Sequence, residues 1–409
     1  MLLAMTLLIR DERDIVVPMI EYHLHAGVDR LIVTDNGSQD GTREILRRYE
    51  QDERVLVLDD PRQDKNQAAR VTAMARRAFE QFHADWVINA DADEFFVPVD
   101  RTLALRDVFE RIPTSIASFT VPVIDMTGIP ARRGTGLTRL QWRDLRPEED
   151  LYARSGLHAH STHDAIHIGA PDVNVAQGNH FVSIASRGEV PEELRVESLH
   201  FPWRSYAQFE RKVRNAGEAY ASNPTLNPSP RHHGARDYRF WRLGALEDSY
   251  LYRHPDPSEL PEAATDEAGL RQDGWLVERL RQLLDEEGVR ERDELRAALD
   301  DADDERYAAE ARIRATQMMR VLLPLEEARA LQAEERAREV AGAEQVRSEV
   351  AELREEVASL RTRIDDAQAR NDRLSRELSG LVSSRRYHVA TALAAPVEWG
   401  RRLRGSIGG

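Results

Sequence analysis

The chain has 409 residues, 57 Lys or Arg against 72 Asp or Glu, a formal net charge of −15, 41% hydrophobic residues and no cysteine. That length suits one large α/β domain with an appendage, or two domains, and the apolar content supplies a core for part of it. Missing thiols exclude disulfides and thiolate zinc sites, and the acidic balance excludes broad nucleic-acid binding, which needs a basic surface to displace counterions.

Met1 to Ile9 is apolar but lacks a basic start and a small-residue cleavage site, and Arg10-Asp11-Glu12-Arg13-Asp14 follows at once. It reads as a first strand. Ile15 to Ala26 has a helical apolar face and stops at Gly27; Leu31-Ile32-Val33 is a second strand. The turn-rich loop Asp35 to Thr42 then opens a helix through Tyr49. Val55 to Leu58 is a third strand, Asn66 to Phe82 a helix and Trp86-Val87-Ile88 a fourth strand. This alternation predicts a parallel sheet with right-handed crossovers. No segment approaches the roughly 20 apolar residues of a membrane helix, so the expected location is cytoplasmic, with a peripheral membrane contact as an option.

Directly after the fourth strand stands Asn89-Ala90-Asp91-Ala92-Asp93-Glu94-Phe95-Phe96. Open α/β sheets bind ligands at the carboxyl ends of their strands, and two aspartates one residue apart can clamp a hard divalent cation that also meets substrate phosphates. The bland alternative is a solvated turn, common in a chain with 32% charged residues. A buried strand before the motif and two phenylalanines after it argue against that. The loop Asp35 to Thr42 is not a calcium loop, because its alternating ligands fail at Gly37 and Gln39 and position twelve is Leu46. It is a turn and helix cap whose polar side chains face the same sheet edge and could bond a base or ribose.

Val33-Thr34-Asp35-Asn36-Gly37-Ser38-Gln39-Asp40-Gly41-Thr42 resembles the strand-and-loop signature of glycosyltransferase family 2, and Asp91-Ala92-Asp93-Glu94-Phe95 resembles the Asp-x-Asp-Glu-Phe variant of one branch. Leu8 to Glu12 is similar to that branch's opening strand, with Asp11 where the family usually has asparagine. The resemblance implies a GT-A fold and a nucleoside-diphosphate-sugar donor held through Mn2+ or Mg2+. It puts Asp35 and Asn36 near the nucleobase, Asp91 at the ribose or metal, Asp93 on the metal, and Glu94 in support of a neighbouring ligand. A fixed cation suits a leaving diphosphate that gains charge as the glycosidic bond breaks.

Ser118 to Val123 predicts a further strand, followed by loops carrying His158, His160, His163, His167, His180 and His200. Without cysteine or helical pairing these are ordinary loop histidines, except that Gly178-Asn179-His180 and Leu199-His200-Phe201-Pro202-Trp203-Arg204-Ser205 also resemble segments of the same branch. His200 and His180 are thus candidates to complete the metal's coordination, and Arg204 and Lys212 to neutralise a diphosphate. The plain alternative has Trp203, Phe209 and Val213 packing a helix that Arg204 caps. No Glu-Asp pair marks a general base; Asp164 and Asp172 are the candidates by position, and the expected stereochemistry is inverting.

The run Asn223 to Pro230 and the prolines 255, 257 and 261 mark boundaries. Between them Trp241, Leu243, Leu246, Tyr250 and Leu251 are expected to pack back on the first domain, and Trp275 to Leu280 starts a short helix. Val346, Val350, Leu353, Val357, Leu360, Ile364, Ala367, Asn371, Leu374, Leu378 and Leu381 alternate four and three apart, with Val or Ile at a, Leu at d and a polar Asn371 at a. That seam predicts a parallel two-stranded coiled coil and a homodimer, with Glu349–Arg354 and Glu356–Arg361 facing across the pair; the alternative is one solvated helix. A tail with Ser384-Arg385-Arg386, an apolar stretch to Trp399 and Arg401 to Arg404 could lie on an anionic membrane, or be a disordered basic end.

The expected organisation is a GT-A-like α/β domain over 1–225, a mixed extension over 226–303, a helical region over 304–382 with its clearest coil at 346–381, and a basic tail over 383–409. The expected function is metal-assisted sugar transfer to the hydroxyl of a glycan or lipid-linked acceptor. A nucleotidyltransferase would need a glycine-rich phosphate loop after the first strand, and Arg10-Asp11-Glu12-Arg13 has no glycine. A non-catalytic coiled-coil scaffold is the third reading, against which intact Asp91 and Asp93 count.

Overall fold

The computed structural model describes residues 1–62, 66–222, 229–260, 269–301 and 305–393. The predicted alternation is present as β1 (Leu3–Ile9), α1 (Val16–His25), β2 (Arg30–Asp35), α2 (Thr42–Tyr49), β3 (Val55–Asp59), α3 (Gln67–Phe82) and β4 (Trp86–Ala90). There follow β5 (Glu94–Pro98), α4 (Leu105–Arg111), β6 (Ser118–Val121), β7 (Val123–Thr127), β8 (Trp142–Asp144), α5 (Glu148–Ser155), β9 (Asp164–Ile168), β10 (Val196–His200) and α6 (Tyr206–Ser222). The remainder is α7 (His233–Arg242), α8 (Leu246–Arg253), β11 (Leu270–Gln272), α9 (Trp275–Leu283), α10 (Arg292–Leu299) and α11 (Glu305–Ser383).

A six-stranded sheet runs β3-β2-β1-β4-β9-β6. Its first four strands are parallel, and β9 is antiparallel to both β4 and β6. The chain order reverses between β1 and β4, which makes their carboxyl ends the switch point where such sheets open a crevice. A second sheet, β11-β8-β7-β10-β5, abuts it. The strand expected over Ser118 to Val123 is in fact two strands in different sheets, divided at Pro122, whose missing N–H cannot continue a ladder.

Apolar runs in β1, β2 and β4 are buried on both faces, as expected of central parallel strands. Phe95 and Phe96, fully buried in β5, lock the turn after Asp93 against α1. His23 of α1 fixes this junction by accepting a bond at Nε2 from the Phe96 N–H, 3.1 Å away.

The chain divides into two compact units, Met1–Ala330 and Leu331–Gly409. Within the first, Phe240, Leu246, Tyr250 and Leu251 share a cluster with Trp203, Phe209 and Val213, while Leu276, Leu280 and Leu295 join the core around α1. Leu243, expected to pack back, is instead 68% exposed just past the end of α7. In the second unit the expected seam lies on continuous helix, and Val350, Leu353, Val357, Leu360 and Ile364 are all exposed. The predicted boundary at 225/226, Pro261, residue 303, Trp399 and Arg401 to Arg404 lie outside the described residues. Among the described residues no helix is long and apolar enough to cross a membrane.

Candidate functional site

At the carboxyl end of β4 the chain turns sharply through Asp91, Ala92 and Asp93 into β5. Glu94 caps this turn: its Oε2 accepts the Asp91 N–H at 2.9 Å, and the Glu94 N–H returns to the Asp91 carbonyl at 3.2 Å. The Phe201 N–H donates to the Asp93 carbonyl at 2.8 Å, tying the end of β10 to the same turn.

Asp93 is buried, and its Oδ2 gathers cations: Lys212 Nζ at 2.9 Å, Arg204 Nη1 at 3.3 Å and His200 Nε2 at 3.9 Å. Although burial opposes it, Lys212, His200 and Arg204 hold Asp93 well below the usual carboxylate range. Asp91 lies in the opposite electrostatic state. Burial first, and the Asp93 charge second, push it up to about 6. Its Oδ1 accepts from Gln67 Nε2 at 3.1 Å and Asn179 Nδ2 at 3.2 Å. Glu94 is raised as well, by burial and then by Asp164 and Asp91. Asp164 adds a buried carboxylate whose Oδ2 has no hydrogen-bond partner.

This excess of buried negative charge fits a cation, and the donor chemistry agrees. His200 Nδ1 bonds Asp125 Oδ1 at 2.8 Å, which orients the ring with Nε2 toward Asp93. The 3.9 Å between His200 Nε2 and Asp93 Oδ2 is close to twice the ~2.1 Å of a metal–ligand bond. Among the described residues no third His, Asp or Glu completes a ligand set with them, so further ligands would come from a bound diphosphate or water. Lys212 Nζ competes for the same oxygen.

Arg204 is fully buried and its guanidinium is saturated. It bonds Asp14 Oδ2 at 2.8 Å, Glu12, Asp93 and the Phe201 carbonyl at 3.2 Å. It is placed to hold Asp93, not to meet a diphosphate or cap a helix. Lys212 differs: half its side chain is exposed. Only two lysines, Lys65 and Lys212, stand among the chain's 57 cationic residues, and one of them occupies this position. A compact ammonium on a flexible stem can change partners where a forked guanidinium cannot.

Asp35 is buried at the carboxyl end of β2. Its Oδ2 caps the following turn at Gly37 N and Ser38 N, both 3.1 Å away, while Oδ1 is left without a partner. Asn36 spends its amide on the Asp60 and Arg62 carbonyls at 2.6 and 2.7 Å, joining the loops after β2 and β3. Asp11 has φ +58, a left-handed conformation that Asp and Asn tolerate, which accounts for aspartate in place of asparagine.

His180 is drawn to Asp164, with Nδ1 3.2 Å from Oδ1, and so stands apart from the Asp93–His200 pair. Asp172 is exposed on the loop after β9 and does not join the cluster. Sequence reasoning missed Asp125, Glu12 and Asp14 as site residues. Asp125 carried a signal, an acid inside the strand Val123-Ile124-Asp125-Met126.

Residues 12–167 match the family model for Glycosyl transferase family 2. The match spans every element from α1 to β9, less than half the chain, and agrees with the GT-A-like α/β order of the sheet. Among solved structures, S. aureus TarS 1–349 is 11% identical over 62% of this chain and 81% of its own, with a TM-score of 0.28. S. aureus TarS 1–349 in complex with UDP-GlcNAc is 12% identical over 63% and 69%, at 0.30. S. aureus TarS is 12% identical over 81% of this chain and 54% of its own, at 0.28. Comparison with curated proteins gives no match.

Proposed function

We propose that the chain is a glycosyltransferase that moves a sugar from a nucleoside-diphosphate donor to an acceptor hydroxyl. The observation that carries this reading is the Asp93–His200 pair, oriented by Asp125, at the sheet's switch point; Asp93 and Asp125 lie inside the segment that matches family 2, and His200 follows it on β10. Asp93 and His200 would hold Mn2+ or Mg2+, with a bound diphosphate or water completing the set. The ion when bound would supply positive charge to the departing diphosphate.

The chain's own residues do the rest. The unpartnered Asp35 Oδ1 accepts an N–H from the nucleobase. Arg204 holds Asp93 in place through Oδ2. Lys212, released from Asp93, turns to the diphosphate oxygens and stabilises charge as it develops. Asp164 remains the carboxylate nearest the place of a base, beside His180.

The exposed seam of α11 supports a parallel homodimer, because an unpaired apolar stripe of this length is costly in water. The acceptor is a glycan or lipid-linked hydroxyl, and a basic tail would bring the enzyme to a membrane. No sequence feature favours the nucleotidyltransferase. The test is release of nucleoside diphosphate from a panel of UDP-, GDP-, dTDP- and CDP-sugars. Release from at least one by the native chain, lost in Asp93→Asn, is expected; no release from any would reject the reading.

A further inference from the structure

A cleft of about 790 Å3 opens beside the carboxylate cluster, walled by β6, the start of β7, the loop after β8 and the segment 159–163. His180 and Phe181 close one side. The cleft is continuous with the site's supporting bonds: Ser161 Oγ donates to Asp125 Oδ1 at 2.7 Å, and Asp125 orients His200.

Most of its ionisable groups are already engaged inside the protein. Arg146 is buried and doubly bonded to Asp144, at 2.8 and 2.5 Å. His160 bonds the Arg146 carbonyl at 2.7 Å and faces Asp125 at 3.8 Å, and His180 is held by Asp164. Glu148, exposed at the rim, adds negative potential. What remains for a ligand is hydroxyls, the exposed His163 imidazole and an aromatic plane. Thr120 and Thr162 are exposed, and Phe181 is 69% exposed, an unusual cost for a phenyl ring.

The turn that presents Phe181 is built for one shape. Gly178 and Asn179 both have positive φ, +76 and +63, and a Cβ at Gly178 would come within 2.7 Å of His180 Nε2. Asn179 meanwhile bonds Asp91, so the position of Phe181 is fixed relative to the carboxylates.

We propose that this cleft receives the acceptor, and that the acceptor end it takes is a neutral sugar or polyol stacked on Phe181. The inference rests on the transferase reading for its role, while the binding selectivity stands on the cleft. A pyranose lays partly positive C–H bonds against the negative face of a phenyl ring, and its hydroxyls suit threonine and imidazole partners. Phosphate or carboxylate would meet Glu148 at the rim and find Arg146, His160 and His180 already bonded within the protein.

The test is saturation-transfer difference NMR on the full chain with four probes: methyl glucopyranoside, ribitol, glucuronic acid and glycerol 3-phosphate. Stronger signals from the two neutral probes are expected, falling about 3- to 10-fold in Phe181→Ala. UDP binding with Mn2+, followed by calorimetry, should stay unchanged in the same variant. Anionic probes binding equally well, neutral signals that survive Phe181→Ala, or no probe binding would each overturn the proposal. Failure of UDP, GDP and other nucleotides to bind the native chain would instead strike the transferase reading, and the probe experiment would then report on the cleft alone.

Discussion

The carboxyl edge at Asp93 and the α11 seam are opposite solutions to surface chemistry. At the edge, buried charges converge from β4, β7, β10 and α6, and almost every polar atom has a partner. Along the seam, apolar side chains repeat on one helix and none is covered by its own chain. The first is assembled by the fold of one chain; the second asks for another. Local pattern reveals the seam and hides the edge, because Asp125 and His200 lie 75 residues apart in sequence and Arg204 and Asp14 lie 190 apart.

Lys212 is the sharpest way to break the edge. Lys212→Ala is expected to lower turnover about 100- to 1000-fold, as for loss of a donor aimed at developing charge. The same variant should bind Mn2+ more tightly without nucleotide, measured by electron paramagnetic resonance, because Asp93 Oδ2 loses its competitor. Weaker Mn2+ binding would show that Lys212 supports the ion and does not exclude it.

On the seam, Leu353→Asp with Leu360→Asp places charge at two d positions and should weaken self-association at least ~100-fold. Sedimentation equilibrium would read a monomer where the native chain reads a dimer. An unaltered native monomer would leave α11 a solvated helix.

Asp125→Asn keeps the shape of the His200 partner but removes its charge, and should cost about 10- to 100-fold in Mn2+ affinity with UDP present. No change would detach Asp125 from the metal centre.

The smallest effect concerns Glu12, pushed up to about 7 from 4.5 by burial, against the pull of Arg204. Between those values the folded chain holds a proton that the unfolded chain has lost, so this group costs stability as pH rises through them. Glu12→Gln should gain roughly 1–3 kcal/mol at about pH 8 and nothing near pH 4.5, read from urea midpoints. A gain at both would point to packing and not charge.

Much of the fold was legible. Strands β1 to β4 announced themselves as short apolar runs, and α11 by its period. Ser118 to Val123 reads as one strand only if Pro122, the local sign of the division, is passed over; tertiary pairing sends its halves to different sheets. Of the site, Asp91 and Asp93 were readable from one motif. Arg204 stands out in the sequence for a different task, since its saturation by Glu12, Asp14 and Asp93 depends on contacts that no window of sequence contains. Asp172 looked equivalent to Asp164, yet only Asp164 stands at the start of a strand, beside the carboxyl end of β4. Lysine scarcity was a compositional clue to Lys212 that motif reading passed over.

The central claim is that Asp93 anchors a metal-dependent nucleotide site. Calorimetric titration of UDP and GDP into the full chain, with and without Mn2+, beside Asp93→Ala, tests it most directly. Binding of either nucleotide that requires Mn2+ and disappears in the variant is the predicted result. Binding that persists unchanged in Asp93→Ala, or that ignores Mn2+, would contradict it.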